Sequence, residues 1–162
     1  VGIYVKAFSL KEEKETGADL GVLLNVDLQG ARLSKAFIAQ AKICSCVGGR
    51  LSNGNVRKDL LNQCLKMLNI TPSSFVIVYT PNLTCGILAF PAADVYALDG
   101  YVSCSNLVAV YKIRLKTLFR HFLRCLLGDF RLGKEYWGPR GLERFIREYR
   151  VKHGLLLSVV RG

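Results

Sequence analysis

Apolar and polar residues alternate along two neighbouring stretches near the start of the chain, a pattern that predicts a β-hairpin. The stretches are DLGVLLNVDL (19–28) and ARLSKAFIAQAKI (31–43), and Gln29-Gly30 between them suits a two-residue turn. With this turn, Asp19 lies directly opposite Gln40. A shift of one residue would move every side chain to the other face, so this register is a specific prediction.

Helical spacing and short apolar runs alternate after the hairpin. Apolar residues three and four apart predict amphipathic helices over 55–69, 111–129 and 141–154, the second ending at a C-cap glycine, Gly128. Short apolar runs predict strands over 74–80, 86–92 and 155–160. The segment 1–15 fits either a strand or a helix. No repeat or linker interrupts the pattern, which indicates a single α/β domain over residues 1–162. We expect its core at about 10–95 and a basic helical part at about 111–154.

Positive charge is concentrated in the C-terminal third of the chain. The formal net charge is +11; residues 1–110 hold 10 Lys or Arg against 8 Asp or Glu, and residues 111–162 hold 13 against 4. This excess indicates a polyanionic partner, and nucleic acid is a commoner one than an acidic membrane. The apolar runs are far shorter than the roughly 20 residues of a membrane span. We therefore expect a soluble protein with DNA, and no membrane, as its partner.

Basic side chains of the predicted C-terminal helices are candidate contacts for DNA phosphates. Three of them recur every four residues and would form one stripe on a helix. A solvated helix face explains each basic residue alone, but the collective excess favours the DNA backbone. Tyr136 and Trp137 lie among them and could either stack on bases or pack in the core. The candidate set is Lys116, Arg120, Arg124, Arg131, Lys134, Arg140, Arg144 and Arg147.

The six cysteines form no Cys-x-x-Cys pair, and no secretory signal is recognisable in the sequence. We therefore expect reduced thiols in a cytoplasmic protein, mostly buried as small hydrophobes. Cys44-x-Cys46 has no second pair beside it, which disfavours zinc. His121 and His153 lack the Ser, Cys or Asp neighbours of a nucleophilic triad, so we interpret both as structural or solvent-facing.

Three polar side chains interrupt an otherwise apolar face at the open end of the hairpin. Opposed residues, and residues two apart on a strand, share a face, so Asp19, Gln40 and Lys42 lie together. A carboxylate and an amide oxygen are ligands that Mg²⁺ accepts beside waters and phosphate oxygens. Lys42 could position a water or stabilise charge on a phosphate. Glu15 is the candidate second carboxylate, and the group indicates metal-assisted phosphodiester hydrolysis.

The stretch ETGAD (15–19), followed about twenty residues later by QAK (40–42), resembles the catalytic signature of the PD-(D/E)xK phosphodiesterase superfamily. The variant with Gln-x-Lys is similar to that of Mrr-type restriction enzymes. The resemblance covers roughly residues 10–80 and includes the element order of leading helix, hairpin, helix and buried strand. It implies a restriction-endonuclease-like fold with a four-stranded mixed central β-sheet flanked by helices. It also implies DNA cleavage dependent on Mg²⁺ (or Mn²⁺).

Carried over by position, the resemblance gives each residue of the hairpin site a role. Asp19 matches the metal-binding aspartate and Lys42 the motif lysine, whereas Gln40 stands where most members place Glu or Asp. The proline that nominally precedes the aspartate is Ala18 here. Gln40 removes one negative charge, which weakens the expected metal site. An alternative without a functional role is that Asp19 is an ordinary turn residue and that Gln40 and Lys42 are solvated residues at a strand end.

Two further roles are implied outside the hairpin. Glu15 is similar to the acidic residue that many members supply from the leading helix, with Glu12 and Glu13 as competitors. Gln63, on the following helix, is similar in placement to an accessory glutamine of some branches. The sequence thus predicts a metal-dependent DNA endonuclease, as a possible homodimer or with partner subunits. The alternative is a weak or inactive DNA-binding subunit of a larger assembly, and RNA as the substrate stays open.

Overall fold

The computed structural model describes residues 2–7, 16–28, 31–47, 50–51, 59–79, 86–99, 102–104 and 106–160. Its strands are β1 (Gly2–Ala7), β2 (Leu20–Leu28), β3 (Ala31–Ile43), β4 (Cys46–Val47), β5 (Arg50–Leu51), β6 (Ser74–Tyr79), β7 (Ile87–Pro91), β8 (Ile113–Arg114) and β9 (His153–Val160). Its α-helices are α1 (Leu60–Ile70), α2 (Ala92–Tyr96), α3 (Leu115–Leu123), α4 (Phe130–Gly133) and α5 (Gly138–Glu148), and Asn106–Ala109 is a 3₁₀ helix. The candidate carboxylates Glu12, Glu13 and Glu15 lie outside the described residues.

Within the described part of the chain, seven strands form one mixed sheet in the order β1-β9-β2-β3-β6-β7-β8, and β4 pairs with β5 separately. The β2–β9 and β3–β6 pairs are parallel, and the other neighbours in the large sheet are antiparallel. The expected α/β domain with a mixed sheet flanked by helices is confirmed. The sheet is larger than the four strands expected, because β9 inserts beside β2 and further strands extend both edges. Of the described helices, none combines the length and the apolar character that a membrane crossing requires.

The hairpin register is the one predicted from the sequence. Leu20 pairs with Ala39 and Leu28 pairs with Ala31, the register that a two-residue connection at 29–30 requires. The predicted strands at 74–80, 86–92 and 155–160 are also present, as β6, β7 and most of β9. The first segment, whose type the sequence left open, contains β1.

The two faces of the sheet bury separate apolar clusters. On one, the α1 face, Leu23 and Ile38 pack with α1, α2 and α5. On the other, the α3 face, Val22 and Phe37 pack with α3. Because neighbours on a strand point to opposite faces, β2 and β3 are apolar on both sides, as central strands are.

Helix α3 is shorter than predicted, and Gly128 does not cap it. The helix ends at Leu123, and Cys125 adopts a left-handed φ of 58°. The N–H of Cys125 donates to the Phe122 carbonyl at 3.1 Å and that of Leu126 to the His121 carbonyl at 2.9 Å, which is a Schellman cap. Apolar periodicity continues past this cap, and so the sequence alone overestimates the helix.

A buried lysine accounts for this early end. Lys35 is fully buried on the α3 face, and its Nζ donates to the carbonyls of Phe122 and Leu127, the latter at 2.8 Å. These carbonyls cannot both accept from the lysine unless the chain turns back between them. Burial lowers the pKa of the Lys35 amine, because the charged form loses its hydration.

The chain then crosses from the α3 face to the α1 face around the edge of β3. Asp129 exchanges two backbone hydrogen bonds with Ala36, of 3.0 and 2.8 Å, beyond the last partner that β6 supplies. Its carboxylate accepts from the N–H groups of Arg131 and Leu132 and so caps α4. Helix α5 begins and ends earlier than predicted, because Pro139 lies in its first turn and the chain must reach β9 by His153.

The expectation of reduced cysteines is wrong for one pair. Cys44, after β3, and Cys104 are joined by a disulfide across a Cα separation of 5.9 Å. The two residues are 60 positions apart, so only folding brings them within bonding distance. Cys64 is a buried free thiol, as expected, whereas the free thiol of Cys125 is exposed.

Candidate functional site

Asp19 is held in place through its backbone by the strands on either side. Its N–H donates to the Ala39 carbonyl at 2.9 Å, and its own carbonyl accepts from the N–H of His153 at 2.7 Å. The turn before it is anchored by Thr16, whose hydroxyl donates to the Arg150 carbonyl at 3.3 Å. The start of β9 therefore positions Asp19 as directly as β3 does.

The Asp19 carboxylate contacts Gln40, as the register predicts. Oδ2 of Asp19 accepts from Nε2 of Gln40 and, at 2.9 Å, from the N–H of Ala41. Gln40 Nε2 also donates to the Ala41 carbonyl at 3.2 Å, so none of these bonds uses Gln40 Oε1. Gln40 is 5% exposed, and thus a largely buried amide orients the carboxylate.

Lys42 extends from the same strand face toward α1. Its Nζ donates to Oε1 of Gln63 at 2.8 Å. Gly17 makes the approach of α1 possible, since a Cβ at this position would lie 2.8 Å from Gln63 Cα, and its φ is +72°. The next residue on the helix is Cys64. Burial raises the pKa of its thiol to about 12, and the positive charge of Lys42 partly offsets this rise.

The number of side-chain ligands at the site is at the lower limit for binding Mg²⁺ or Mn²⁺. Within the described ranges, no group of three or more His, Cys, Asp or Glu side chains could hold a metal ion. What the hairpin offers is one carboxylate, Asp19, and the amide oxygen of Gln40. Mg²⁺ binds through one or two carboxylates and takes waters and phosphate oxygens elsewhere, so this set fits a cation shared with a phosphate. The expected second carboxylate, Glu15, lies outside the described residues.

The candidate phosphate contacts are all exposed but do not form one surface. We call Lys116, Arg120 and Arg124, on the α3 face, the α3 basic stripe. The basic residues of α4, α5 and the segment between them lie on the α1 face, since the chain changes sides at Asp129. Two of them have acidic neighbours: Arg131 with Asp129 at 3.5 Å and Arg144 with Glu135 at 3.8 Å.

The aromatic pair proposed for base stacking is only partly accessible. Tyr136 is 3% exposed and packs edge-on against Phe145 and Tyr149, so of the two alternatives it packs in the core and is not available to stack on bases. Burial also raises the pKa of the Tyr136 hydroxyl. The Trp137 ring carries the Arg32 guanidinium 4.3 Å from its centre. Trp137 is half-buried and already has a cationic partner on one face.

Two features of the tertiary structure had no local signal in the sequence. The pairing of β9 with β2, which places His153 beside Leu20, joins segments more than a hundred residues apart. Lys35 is a charged residue in a strand, and lysine is mostly exposed in proteins, yet Lys35 is buried. Gln63 was identified through the family resemblance, and the structure brings it to Lys42.

In comparisons with known proteins, no family model, no curated protein and no solved structure matches this chain. The likeness to the PD-(D/E)xK superfamily therefore remains a resemblance in sequence, and its expected leading helix lies outside the described residues.

Proposed function

We propose that the protein is a metal-dependent DNA endonuclease that hydrolyses phosphodiester bonds at the open end of the β2–β3 hairpin. The observation that supports this most is the contact between the Asp19 carboxylate and the Gln40 amide. Lys42 lies two residues further along the same strand face, with its ammonium group oriented by Gln63. A carboxylate, an amide and an ammonium group thus lie on one sheet face at the open end of the hairpin.

In this proposal, Asp19 and Gln40 Oε1 hold Mg²⁺ or Mn²⁺, and Glu15 is the candidate second carboxylate. The bound cation would supply Lewis-acid stabilisation of the phosphate and a more acidic water. Lys42 places positive charge where the phosphate oxygens become more negative. The α3 basic stripe, on the other face of the same sheet, would contact the DNA backbone where the strand passes the open end of the hairpin, without reading its sequence. Restriction, defence, recombination and repair are the pathways that use such cleavage.

The test compares wild type with Asp19→Asn and Lys42→Met on supercoiled, linear, branched and single-stranded DNA and on RNA, in Mg²⁺, Mn²⁺ or EDTA. We expect products only with metal, a loss of about a hundredfold or more in both variants, and unchanged DNA affinity. Asp27→Asn, at the other end of β2, is the matched control, because Asp27 pairs with Arg32 at 3.3 Å. Cleavage by Asp19→Asn at the wild-type rate would overturn the assignment.

A second candidate is a DNA-binding subunit that has this fold but little or no activity. Two observations favour it. Among the described residues, Asp19 is the carboxylate found at the site, and its Oδ2 already accepts hydrogen bonds from two N–H groups. This candidate predicts salt-dependent DNA affinity with no metal requirement and no products, in a homodimer or with partner subunits. Calorimetric titration with Mn²⁺ separates the two: heat lost in Asp19→Asn supports the nuclease.

A further inference from the structure

An apolar pocket of about 320 Å³ lies on the α3 face, behind the candidate site. Its walls come from the sheet and from α3 and include Leu20, Ala41, Ile77, Tyr79, Leu115 and Phe119. Pockets that bind small organic groups start at about this size and are mostly apolar. The pocket can thus hold one small, apolar group, and two aromatic side chains line it.

The pocket and the candidate site occupy the same end of the same two strands. Leu20 follows Asp19, and Ala41 follows Gln40. Because successive side chains point to opposite faces, only the thickness of the sheet separates the pocket from the site. Ile43 and Tyr79 are paired at the ends of β3 and β6 and are 61% and 38% exposed. A flexible chain bound at the site can therefore pass this exposed end and place a group in the pocket.

Two basic residues of α3 directly follow two of its pocket-lining residues in the sequence. A helix turns about 100° per residue, so Lys116 and Arg120 lie beside the lining residues Leu115 and Phe119. They project on the flank away from Leu118, and both are exposed. The sequence contains no Asp or Glu between Asp99 and Asp129, the whole stretch that leads into and through α3. An occupant with an apolar flat part and an adjacent negative charge matches this arrangement.

We propose that the pocket takes one unstacked nucleobase of a strand whose phosphates lie along Lys116 and Arg120. This inference rests on the proposed function and narrows its substrate to single-stranded or locally unpaired nucleic acid. Tyr79 and Phe119 are the aromatic residues of the pocket wall, and every base can stack on aromatic side chains. The apolar walls supply no set of donors and acceptors for reading a base edge, so the preference is for an accessible base and not for a sequence.

Binding in EDTA tests the pocket without cleavage. The probes are an oligodeoxyadenylate and an abasic oligonucleotide with the same number of phosphates. We expect wild type to prefer the base-bearing strand by at least about fivefold, the lower end of the gain from stacking one base on an aromatic ring. Ala41→Leu, which fills the pocket from an exposed position, and Phe119→Leu should each remove the preference without weakening abasic binding. Ala93→Leu, at an exposed alanine of α2, is the control.

Equal binding of the two probes by wild type, or a preference that survives in Ala41→Leu, overturns the proposal. So does stabilisation by decanoate that Ala41→Leu abolishes, which would assign the pocket to a fatty acyl chain. A dimer in light scattering that Ala41→Leu dissociates would assign this face to a second copy and equally overturn it. A base preference without cleavage in any metal supports the proposal for the pocket and contradicts the proposed nuclease activity. Cleavage without a base preference supports the nuclease activity and contradicts the proposal for the pocket.

Discussion

Nζ of Lys42 and Oε1 of Gln63 are joined by a hydrogen bond of 2.8 Å, which connects β3 to α1. The bond depends on the close approach of α1 to Gly17, where a Cβ would collide with the helix backbone. It fixes the direction of the ammonium group relative to Asp19 and Gln40 on the same sheet face. Gln63 is therefore a positioning residue for the proposed chemistry.

Replacing Gln63 with Leu should slow single-turnover DNA cleavage about tenfold, since a misplaced catalytic group typically costs this much or more. DNA affinity should stay the same, and Gln63→Glu, which keeps an acceptor for Lys42, should recover most of the rate. Asn62→Leu is the control, because Asn62 is the preceding and exposed residue of α1. Equal rates for Gln63→Leu and Asn62→Leu would show that the bond does not position Lys42.

The buried thiol of Cys64 should make stability fall at alkaline pH. Its pKa is raised by burial from 9.0 to about 12, so the unfolded state loses this proton first. The contribution is fully present below about pH 9 and is lost as the pH rises toward 12, by about 1.4 kcal/mol per pH unit. Urea unfolding across this range should show the loss in wild type and in Cys125→Ala but not in Cys64→Ala. The same dependence of the unfolding free energy on pH in wild type and Cys64→Ala would contradict this prediction.

The buried amine of Lys35 should make stability rise with pH, opposite to the effect of Cys64. Burial lowers the pKa of its amine below 10.5, so the cost of burying the charge is present at low pH and is relieved as the pH rises toward 10.5. Lys35→Met removes the side-chain donor of the Leu127 carbonyl and leaves the Phe122 carbonyl with backbone donors only. It should lower the unfolding free energy by about 1–3 kcal/mol near pH 7.

The stability deficit of Lys35→Met should widen as the pH rises toward 10.5, because only wild type contains the group that becomes easier to bury. Urea unfolding of the two proteins at a series of pH values measures this. Lys134→Met, at an exposed lysine, serves as the control. A deficit that shrinks with pH would mean that Lys35 is not buried as a charge.

The disulfide between Cys44 and Cys104 should stabilise the domain. It closes a segment of 60 residues, for which loop entropy gives about 4 kcal/mol. A reductant should therefore lower the unfolding free energy of wild type by several kcal/mol and leave Cys104→Ala unchanged. Disulfides are rare in cytosolic proteins, so recovery of the oxidised pair from cells lysed with an alkylating agent would contradict the cytoplasmic expectation.

Local sequence was sufficient for the hairpin and for the group of polar residues at its end. Strand alternation and a two-residue connection allow one register, and this register places Asp19 against Gln40. Helices α1, α3 and α5 and strands β6, β7 and β9 were predictable too, because each has helical apolar spacing or is a short apolar run, whereas the short elements β4, β5, β8, α2 and α4 were not predicted. Element ends were less predictable: apolar spacing continues through Leu126, but hydrogen bonds from Lys35 end the helix before it.

The sequence by itself determined that β2, β3, β6, β7 and β9 are strands, that α1, α3 and α5 are helices, and which side chains share a face of the hairpin. These features depend on residues close together in the chain. Only the tertiary structure decided that β9 lies beside Asp19, that Cys44 meets Cys104, and that the basic residues of α3 and α5 lie on opposite faces. Such contacts join residues far apart in sequence. They depend on how the elements pack, and no local period carries that information.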